Sequence, residues 1–325
     1  MKSETDDVEP MHIENAYQAA HSGAIVVDRS DLGYLRFSGE SRLDLLNRMS
    51  TQKVDVLKKG QGAATILTTD IGRINDRLII YSNEDVVYGL TGAGNNDNIA
   101  RYLMRFVFFL DDFQIQDVSS ETAIIGLYGS EAGDAANRVY GASSSLPLHH
   151  WERSEIEGVP ISIHRADPIG GDGYFIICQI GEKSKILSNL LAAGAVFADN
   201  DAYEYLRIES GIPLLGRELT LDYIPLEAGL RPDISFNKGC YIGQEIIARM
   251  DSRGKLAKKL VRLLPSSPVN AGAEIMAGEK SAGSITSASD GPNGPLALGY
   301  VKSAYLDSNT LTVNGAPVSI ADLQN

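Results

Sequence analysis

The segment Lys238–Glu245, with the sequence Lys-Gly-Cys-Tyr-Ile-Gly-Gln-Glu, contains the residue types that point most directly to chemistry. It carries Cys240, one of two cysteines in the chain, and leads into the amphipathic run Glu245–Met250. A helix start presents unpaired N–H groups and a positive dipole end, which favour a thiolate. The sequence therefore predicts that Cys240 lies at a helix start beside Lys238 and ionises readily. The structural alternative is that the two glycines of this segment only form a tight turn.

A second candidate is the segment Leu206–Pro213, which places Arg207 and Glu209 near the end of a short predicted helix. A carboxylate is an acceptor only, and it pairs well with two neighbouring N–H donors such as those on a pterin or guanidine edge. The alternative for Glu209 is a surface ion pair, which is the commoner role of a single glutamate.

Asp76 is the third candidate, because it begins the second strand of a hairpin predicted around Thr69–Arg77. Aspartate is disfavoured in strands, so this position can direct a carboxylate into a cleft as a general base or a hydrogen-bond acceptor. Ordinary turn chemistry explains an aspartate near a hairpin tip equally well. The sequence leaves both interpretations open.

The other reactive residue types show no recognisable site pattern. The five histidines lack metal-ligand spacing, and Gly89–Gly94 lacks both the dinucleotide and the P-loop pattern. Cys178 lies in the apolar run Tyr174–Gln179 and is predicted to be a core residue. Two cysteines cannot supply the four thiolates that an iron–sulfur cluster normally takes, so any cluster would belong to a partner or be shared between chains. No metal site is predicted.

Charge and composition disfavour several classes of function. The 325-residue chain has a formal net charge of −13 and a pI near 4.9, which argues against binding to nucleic acid or to anionic membranes. The N-terminal residues lack an apolar signal segment, and the longest strongly apolar run, Phe106–Leu110, is too short to span a bilayer. With two widely separated cysteines and no disulfide pattern, a cytoplasmic location is expected.

Hydrophobic periodicity predicts an α+β architecture. Two successive units of strands with one-sided helices are expected, with helices at 42–49, 96–108, 131–140, 183–193 and 201–210. After residue 256, short apolar runs alternate with turns such as Asn314-Gly315, which predicts a small antiparallel β-barrel. The predicted organisation is a flexible acidic tail at 1–11, two intertwined α+β lobes at 12–255 and a C-terminal β-barrel at 256–325. The stretch 211–237 is predicted to be a functional loop.

Together, these segments resemble a known family. Lys238–Glu245 is similar to the signature of the YgfZ group of folate-binding proteins, which is related to a mitochondrial iron–sulfur assembly factor. Leu206–Pro213 and Gly72–Tyr81 resemble segments of the glycine cleavage system T-protein, an aminomethyltransferase. The similarity covers nearly the whole chain after the acidic tail. The resemblance implies a cloverleaf of three domains around a central opening that holds tetrahydrofolate.

The resemblance also implies roles for individual residues. Glu209 would match the pterin-binding glutamate, and Asp76 the first member of an aspartate pair near the reactive folate nitrogens. Arg77 stands where the second aspartate would be, a departure that argues against methylene transfer. Thr91 stands at the position of an asparagine near the folate. The implied catalytic residues are Cys240 and Asp76, and the implied cofactor-binding residues are Glu209, Arg207, Thr91, Lys238 and Tyr241.

Two classes of function follow. The first is a tetrahydrofolate-binding accessory factor for the assembly or repair of iron–sulfur clusters, with Cys240 as its working thiol and iron–sulfur apo-proteins or assembly factors as partners. The second is a folate-dependent aminomethyltransferase or related one-carbon transferase, with Asp76 assisting proton transfer. A third class is a folate-binding module in which Cys240 only packs.

Overall fold

The computed structural model describes residues 11–143 and 145–321. The predicted acidic tail lies outside these residues except for Met11, whose N–H donates to the carbonyl of Phe197 at 2.9 Å. The helices are α1 Ile13–Ser22, α2 Arg42–Met49, α3 Asn96–Met104, α4 Ala132–Tyr140, α5 Lys183–Ala192, α6 Asn200–Glu209 and α7 Gln244–Arg253. Within the described ranges, no helix is long and apolar enough to cross a bilayer.

The strands divide into two sheets and a barrel. In chain order they are β1 Ile25–Asp28, β2 Leu32–Ser38, β3 Gly62–Thr68, β4 Ile74–Ser82, β5 Val87–Ala93, β6 Gln114–Asp117, β7 Thr122–Gly129, β8 Trp151–Ile156, β9 Val159–Arg165, β10 Asp172–Gln179, β11 Val196–Phe197, β12 Lys258–Pro265, β13 Glu274–Ala277, β14 Lys280–Gly291, β15 Gly294–Lys302, β16 Leu311–Val313 and β17 Ala316–Ala321.

The first lobe is a five-stranded antiparallel sheet in the order β3-β4-β5-β2-β6, with α2 and α3 packed on one face. The apolar stripe of α2 packs as its helical spacing predicts, with Leu45, Leu46 and Met49 buried against this sheet. The helix predicted to end at Phe108 ends earlier, at Met104. The residues that follow include fully exposed Phe109, so their apolar character does not reflect a helix face.

The second lobe is a six-stranded sheet in the order β11-β1-β7-β10-β9-β8. β1 runs parallel to β11 and antiparallel to β7. Its residues alternate between two cores, because Ile25 and Val27 face α1 and α6 while Val26 faces α4 and α5. The chain therefore begins in the second lobe and crosses into the first lobe between β1 and β2. This crossing intertwines the two lobes.

The C-terminal unit is a closed barrel of antiparallel strands in the order β12-β15-β14-β13-β16-β17. The predicted hairpin at Asn314-Gly315 is confirmed, since the two residues have φ of 52° and 81° and join β16 to β17. A two-residue hairpin turn of type I′ requires positive φ at both of its central residues. β13 is not predicted from the sequence, because its four residues lack a clear apolar alternation. The two mixed lobes and the closed barrel confirm the predicted fold class.

The predicted functional loop forms most of a connector, which we define as residues 210–243 between α6 and α7. This segment is irregular but well packed. Its residues Leu219, Tyr223 and Ile234 belong to the same hydrophobic cluster as the inner faces of α1, α6 and the barrel. The ring of Tyr223 stacks on Tyr300 of β15 at a centroid separation of 3.5 Å. The connector thus joins the two lobes to the barrel.

A buried ion pair fixes the connector to α6 and to the barrel. Arg207 of α6 has no exposed surface, and all five of its N–H donors are used. They bond Glu204 twice, the Ile212 carbonyl, Glu218 and the Ser287 hydroxyl of β14. The Glu218 carboxylate is also fully buried, and it accepts hydrogen bonds from two hydroxyls of β14.

Replacing Arg207 by methionine should destabilise the protein by about 3–5 kcal/mol, because the substitution leaves buried carboxylates without their partner. Urea unfolding followed by circular dichroism measures this loss. Arg217→Met is the matched control, since Arg217 is 44% exposed and pairs with Glu204 alone. Its loss should stay below about 1 kcal/mol. Equal, small losses in the two variants would contradict the structural role assigned to Arg207.

Candidate functional site

The two lobes and the connector enclose a central cavity of about 100 Å³. Its walls come from β4, β5, β7, β10, α6 and the connector. The connector closes one side, where Leu215 lies directly against Gly92 of β5. A Cβ atom placed on Gly92 would lie 2.3 Å from the Leu215 side chain, so only glycine fits there. Of the described residues, those of the barrel do not line this cavity.

Asp76 of β4 is the most chemically distinctive residue in the cavity wall. Its side chain is 1% exposed and accepts hydrogen bonds from the N–H groups of Arg77 and Gly92 and from the amide of Asn95, at 2.8–3.1 Å. Burial raises the pKa of its carboxyl to about 6, although these three donors favour the charged form. A carboxylate with a pKa close to neutral pH is suited to accepting a proton or binding an N–H group of a ligand.

Arg77, the next residue on β4, is held by two carboxylates from distant parts of the chain. It donates to Asp167 at 2.7 and 3.3 Å and to Asp233 of the connector at 2.7 Å. Burial opposes ionisation of Asp167, but the charge of Arg77 and the hydrogen bonds that it donates lower the pKa of that carboxyl. Arg77, which departs from the pattern of the T-protein, is therefore the centre of a partly buried ion cluster that includes residues of both lobes and of the connector.

The other predicted cavity residues have their polar groups satisfied by the protein. Thr91 is 3% exposed and lines the cavity, and its hydroxyl donates to the carbonyl of Gly92 at 3.0 Å. Arg207 also lines the cavity, but its five donors are all used within the protein. Binding of a cofactor by Arg207 would require breaking that network, so the structure gives it a supporting role.

Glu209 does not line the central cavity. Its carboxylate faces α1, where it accepts a hydrogen bond from the hydroxyl of Tyr17 at 2.8 Å and lies 2.9 Å from Nε2 of His21. The hydroxyl of Tyr17 in turn accepts a hydrogen bond from Asn293 of the barrel. The structure thus places Glu209 at a junction of α1, α6 and the barrel, away from Asp76. Its pterin-binding role stays a prediction of the family resemblance.

The structure differs from the expectation that Lys238 acts on the thiol. Cys240 is an exposed free thiol, and it precedes the first residue of α7 by four positions. The ammonium group of Lys238 points to the end of α2 and donates to the carbonyls of Asn47, Ser50 and Gln52 at 2.5–2.8 Å. An ammonium has three donors, so none is left for Cys240. Burial lowers the pKa of Lys238 to about 8.

Tyr241 packs in the core that joins the lobes to the barrel and is 8% exposed. The ammonium of Lys238 lies 5.4 Å from its ring centroid. Lys238 and Tyr241 therefore anchor the segment on either side of Cys240, and the structure brings neither of them to the central cavity. Elsewhere in the described ranges, no cluster of three histidine, cysteine or acidic side chains is arranged to hold a metal ion.

Residues 6–238 match the family described as the GCVT N-terminal domain, and residues 258–324 match the CAF17 C-terminal beta-barrel domain. The chain belongs to the GCVT family. The CAF17-type barrel attached to the GCVT region confirms the predicted YgfZ type within this superfamily.

Individual relatives of this GCVT-family chain carry transferase names. A putative chloroplastic transferase of Arabidopsis thaliana is 31% identical, over 92% of this chain and 70% of that protein. The aminomethyltransferase of Bacillus pumilus is 28% identical, over 86% of this chain and 79% of that protein. The crystal structure of the glycine cleavage system aminomethyltransferase T from Bartonella henselae has the same fold, with a TM-score of 0.85 at 22% identity. That match covers 97% of this chain and 90% of the other.

Several residues of the cavity wall and of the ion cluster around Arg77 are not predicted from the sequence of this GCVT-family chain. Arg29 follows β1, and its guanidinium lies 4.5 Å from the ring centroid of Tyr203 and hydrogen-bonds the hydroxyl of that residue. Asp167 follows β9, and Asp233 lies in the connector. These residues are isolated in sequence, and only the tertiary fold brings them together. Arg77 is the one residue whose type signals these carboxylates in advance, because an arginine inside a protein requires carboxylate partners.

The raised pKa of Asp76 predicts a pH-dependent stability difference. Near pH 4 and below, the carboxyl is largely protonated in the folded chain. As the pH rises toward 6, the unfolded chain releases this proton first, so the folded state loses stability. The loss is complete above pH 6. The change in pKa from 3.8 to about 6 corresponds to about 3 kcal/mol.

As the pH rises from 4 to 7, the free energy of unfolding of Asp76→Asn should therefore increase by about 3 kcal/mol relative to that of the unsubstituted protein. Urea unfolding of both proteins across this range measures the difference. Asp85→Asn is the control, because Asp85 is exposed. A difference between Asp76→Asn and the unsubstituted protein that is the same at every pH would show that Asp76 has an ordinary pKa.

Lys238→Met should release the segment that carries Cys240, because three carbonyls lose their charged donor while the apolar stem is kept. Amide hydrogen exchange in residues 234–243 should rise by about tenfold or more, the equivalent of about 1.4 kcal/mol of local stability. Lys53→Met, at an exposed lysine nearby, should leave exchange in this segment unchanged. Unchanged exchange in Lys238→Met would show that Lys238 does not anchor the segment.

Proposed function

We propose that this protein binds tetrahydrofolate and assists the assembly or repair of iron–sulfur clusters, with Cys240 as the working thiol. The observation that carries the proposal is the state of Cys240. It is a free, exposed thiol on a segment that Lys238 and Tyr241 anchor on both sides. An exposed thiol is available to a second protein, whereas Cys178 is buried in β10, where burial raises its thiol pKa to about 11.

The proposed folate site is the central cavity. Its apolar walls, which include Leu90, Phe175 and Leu215, suit the flat pterin ring, and Asp76 offers a carboxylate to the ring N–H groups. The cavity of about 100 Å³ is smaller than the 300 Å³ or more typical of a site for a drug-sized ligand. Binding of a whole folate therefore requires the connector around Leu215 to move outward from Gly92.

Titration with tetrahydrofolate, monitored by calorimetry, tests where the pterin binds. Asp76→Asn should weaken binding by about tenfold or more, since it replaces a charged acceptor by a neutral one. Glu209→Gln should bind as the unsubstituted protein does, because Glu209 lies outside the cavity. The opposite pattern, with Glu209→Gln impaired and Asp76→Asn unchanged, would place the pterin at the end of α6. Full affinity in both variants would refute the cavity as the folate site.

A second candidate function is one-carbon transfer in the manner of the aminomethyltransferases. The observation that favours it is Asp76, whose raised pKa suits proton transfer to a folate nitrogen. Against it stands Arg77, because a guanidinium held by Asp167 and Asp233 cannot accept a proton. Purified protein supplied with an aminomethyl-lipoyl substrate and tetrahydrofolate separates the two functions. We expect no methylene-tetrahydrofolate, and turnover that is lost in Asp76→Asn would instead establish the transferase.

The role of the thiol is tested in cells that lack the native protein. Cys240→Ser should fail to restore the activity of iron–sulfur enzymes, because serine neither ligates iron nor exchanges disulfides as a thiolate does. Cys178→Ala is the matched control for loss of a thiol and should restore activity. Folate titration of Cys240→Ser confirms that the site is intact. Full restoration by Cys240→Ser would rule out a thiol role and leave a folate-binding module.

A further inference from the structure

A second and larger cavity lies between the sheets of the two lobes. It is a groove of about 870 Å³, and its walls come from β2, β5, β8, β9 and β10. It lies farther along the same sheet faces as the central cavity. On β5 and β10, Leu90 and Phe175 line the central cavity, whereas Tyr88 and Ile177, two residues away on the same faces, line the groove. Buried residues such as Tyr81 pack between the two cavities.

The groove contains a buried histidine with an unused nitrogen. His164 of β9 is 1% exposed, and its Nε2 lies 2.8 Å from the hydroxyl of Ser162. Its Nδ1 has no hydrogen-bond partner among residues 11–143 and 145–321. Burial lowers the pKa of His164 to about 3, so the ring is neutral at physiological pH. This Nδ1 atom has almost no accessible surface of its own, so it lies behind the groove wall and a ligand in the groove does not contact it.

Aromatic rings form the walls beside His164. Tyr34 and Tyr88 of the first lobe stack with centroids 5.1 Å apart and an interplanar angle of 8°. Trp151 of the second lobe stacks on His164 at 5.5 Å and 12°. The indole N–H of Trp151 already donates to the carbonyl of Ser82, so Trp151 can offer a ligand only apolar contact. Such walls favour a flat ring that is inserted between the lobes.

Two cations stand at the groove, one from each lobe. Arg36 comes from β2 and Arg153 from β8, and the Arg153 guanidinium lies 6.0 Å from the ring centroid of Trp151. Glu121 is the one acid that lines the groove among the described residues. The groove therefore carries a local positive balance in a chain whose net charge is −13. Two guanidinium groups at the edge of an aromatic site suit a phosphate or carboxylate group.

We propose that this groove is a second ligand site, which binds a flat heteroaromatic ring that carries an anionic group, as in a nucleoside monophosphate. The ring packs against Tyr88 and Trp151, and the phosphate pairs with Arg36 and Arg153. The groove volume lies within the range of cofactor sites. The site is independent of the proposed folate site, since the two cavities share no lining residue.

The chain supplies its own reporter for this site, because Trp151 is its only tryptophan. The fluorescence of Trp151, excited at the red edge of indole absorption, should change on titration with adenosine 5′-monophosphate. This change should reach saturation. Adenosine and ribose 5-phosphate should each bind about tenfold or more weakly, since each lacks one of the two recognised groups. Flat fluorescence together with no heat of binding in calorimetry, up to millimolar nucleotide, would overturn the proposal.

Two variants locate the binding within the groove. Arg153→Gln, at an exposed position, should weaken binding of adenosine 5′-monophosphate by about fivefold or more. Arg138→Gln, an exposed arginine on α4 outside the groove, should have no effect. Equal affinity in Arg153→Gln and Arg138→Gln would refute the role of the groove.

Competition separates this site from the folate site. Protein saturated with 5-formyltetrahydrofolate should bind adenosine 5′-monophosphate with unchanged affinity. The Asp76→Asn variant should also bind the nucleotide with unchanged affinity. Displacement of the nucleotide by the folate would show that the groove takes the folate ring itself, which overturns a separate site. Failure of folate binding with intact nucleotide binding would refute the folate proposal and leave the present one standing.

Discussion

The buried charge of Arg207 is the constraint on which the arrangement of the three units depends. A guanidinium without exposed surface is stable only when each donor has a partner, and its partners here come from α6, the connector and β14. The network therefore sets the path of the chain after Glu209. That path places Leu215 against Gly92 and closes the central cavity. The barrel contributes no lining residue within the described ranges, yet through this network it determines the shape of the site.

A second set of interactions extends from the cavity to the exposed cysteine. Arg77 lines the cavity and binds Asp233, whose backbone carbonyl accepts a hydrogen bond from the Thr51 hydroxyl. Five residues later, Lys238 bonds three carbonyls at the end of α2. The segment that carries Cys240 is therefore held by the first lobe and not by the start of α7. Arg77 therefore connects the wall of the central cavity to the segment that carries Cys240.

The sequence predicts the features of the fold that depend on local chemistry. The stripe of α2 and the Asn314-Gly315 turn follow from side-chain spacing and backbone preference. The helix predicted at 201–210 is also present, with bounds Asn200–Glu209. β6 and β8 escape prediction because they lie at the edges of their sheets, where polar residues alternate with few buried ones. The ion cluster of Arg77 escapes for a different reason. Its carboxylates stand 90 and 156 residues away, and no local pattern connects them.

The candidate site shows why residue type alone is an incomplete guide to chemistry. Lys238, Arg207 and Glu209 have the groups that bind anions or pterins, but in the folded chain their hydrogen bonds are made within the protein. A group that is already satisfied gains little by binding a ligand, because it must first give up an existing bond. Reactivity is therefore expected where the protein leaves a group incomplete, and among the candidate residues this description fits Cys240, an exposed free thiol. Asp76 is distinguished instead by its raised pKa, since its carboxylate already accepts three hydrogen bonds within the protein.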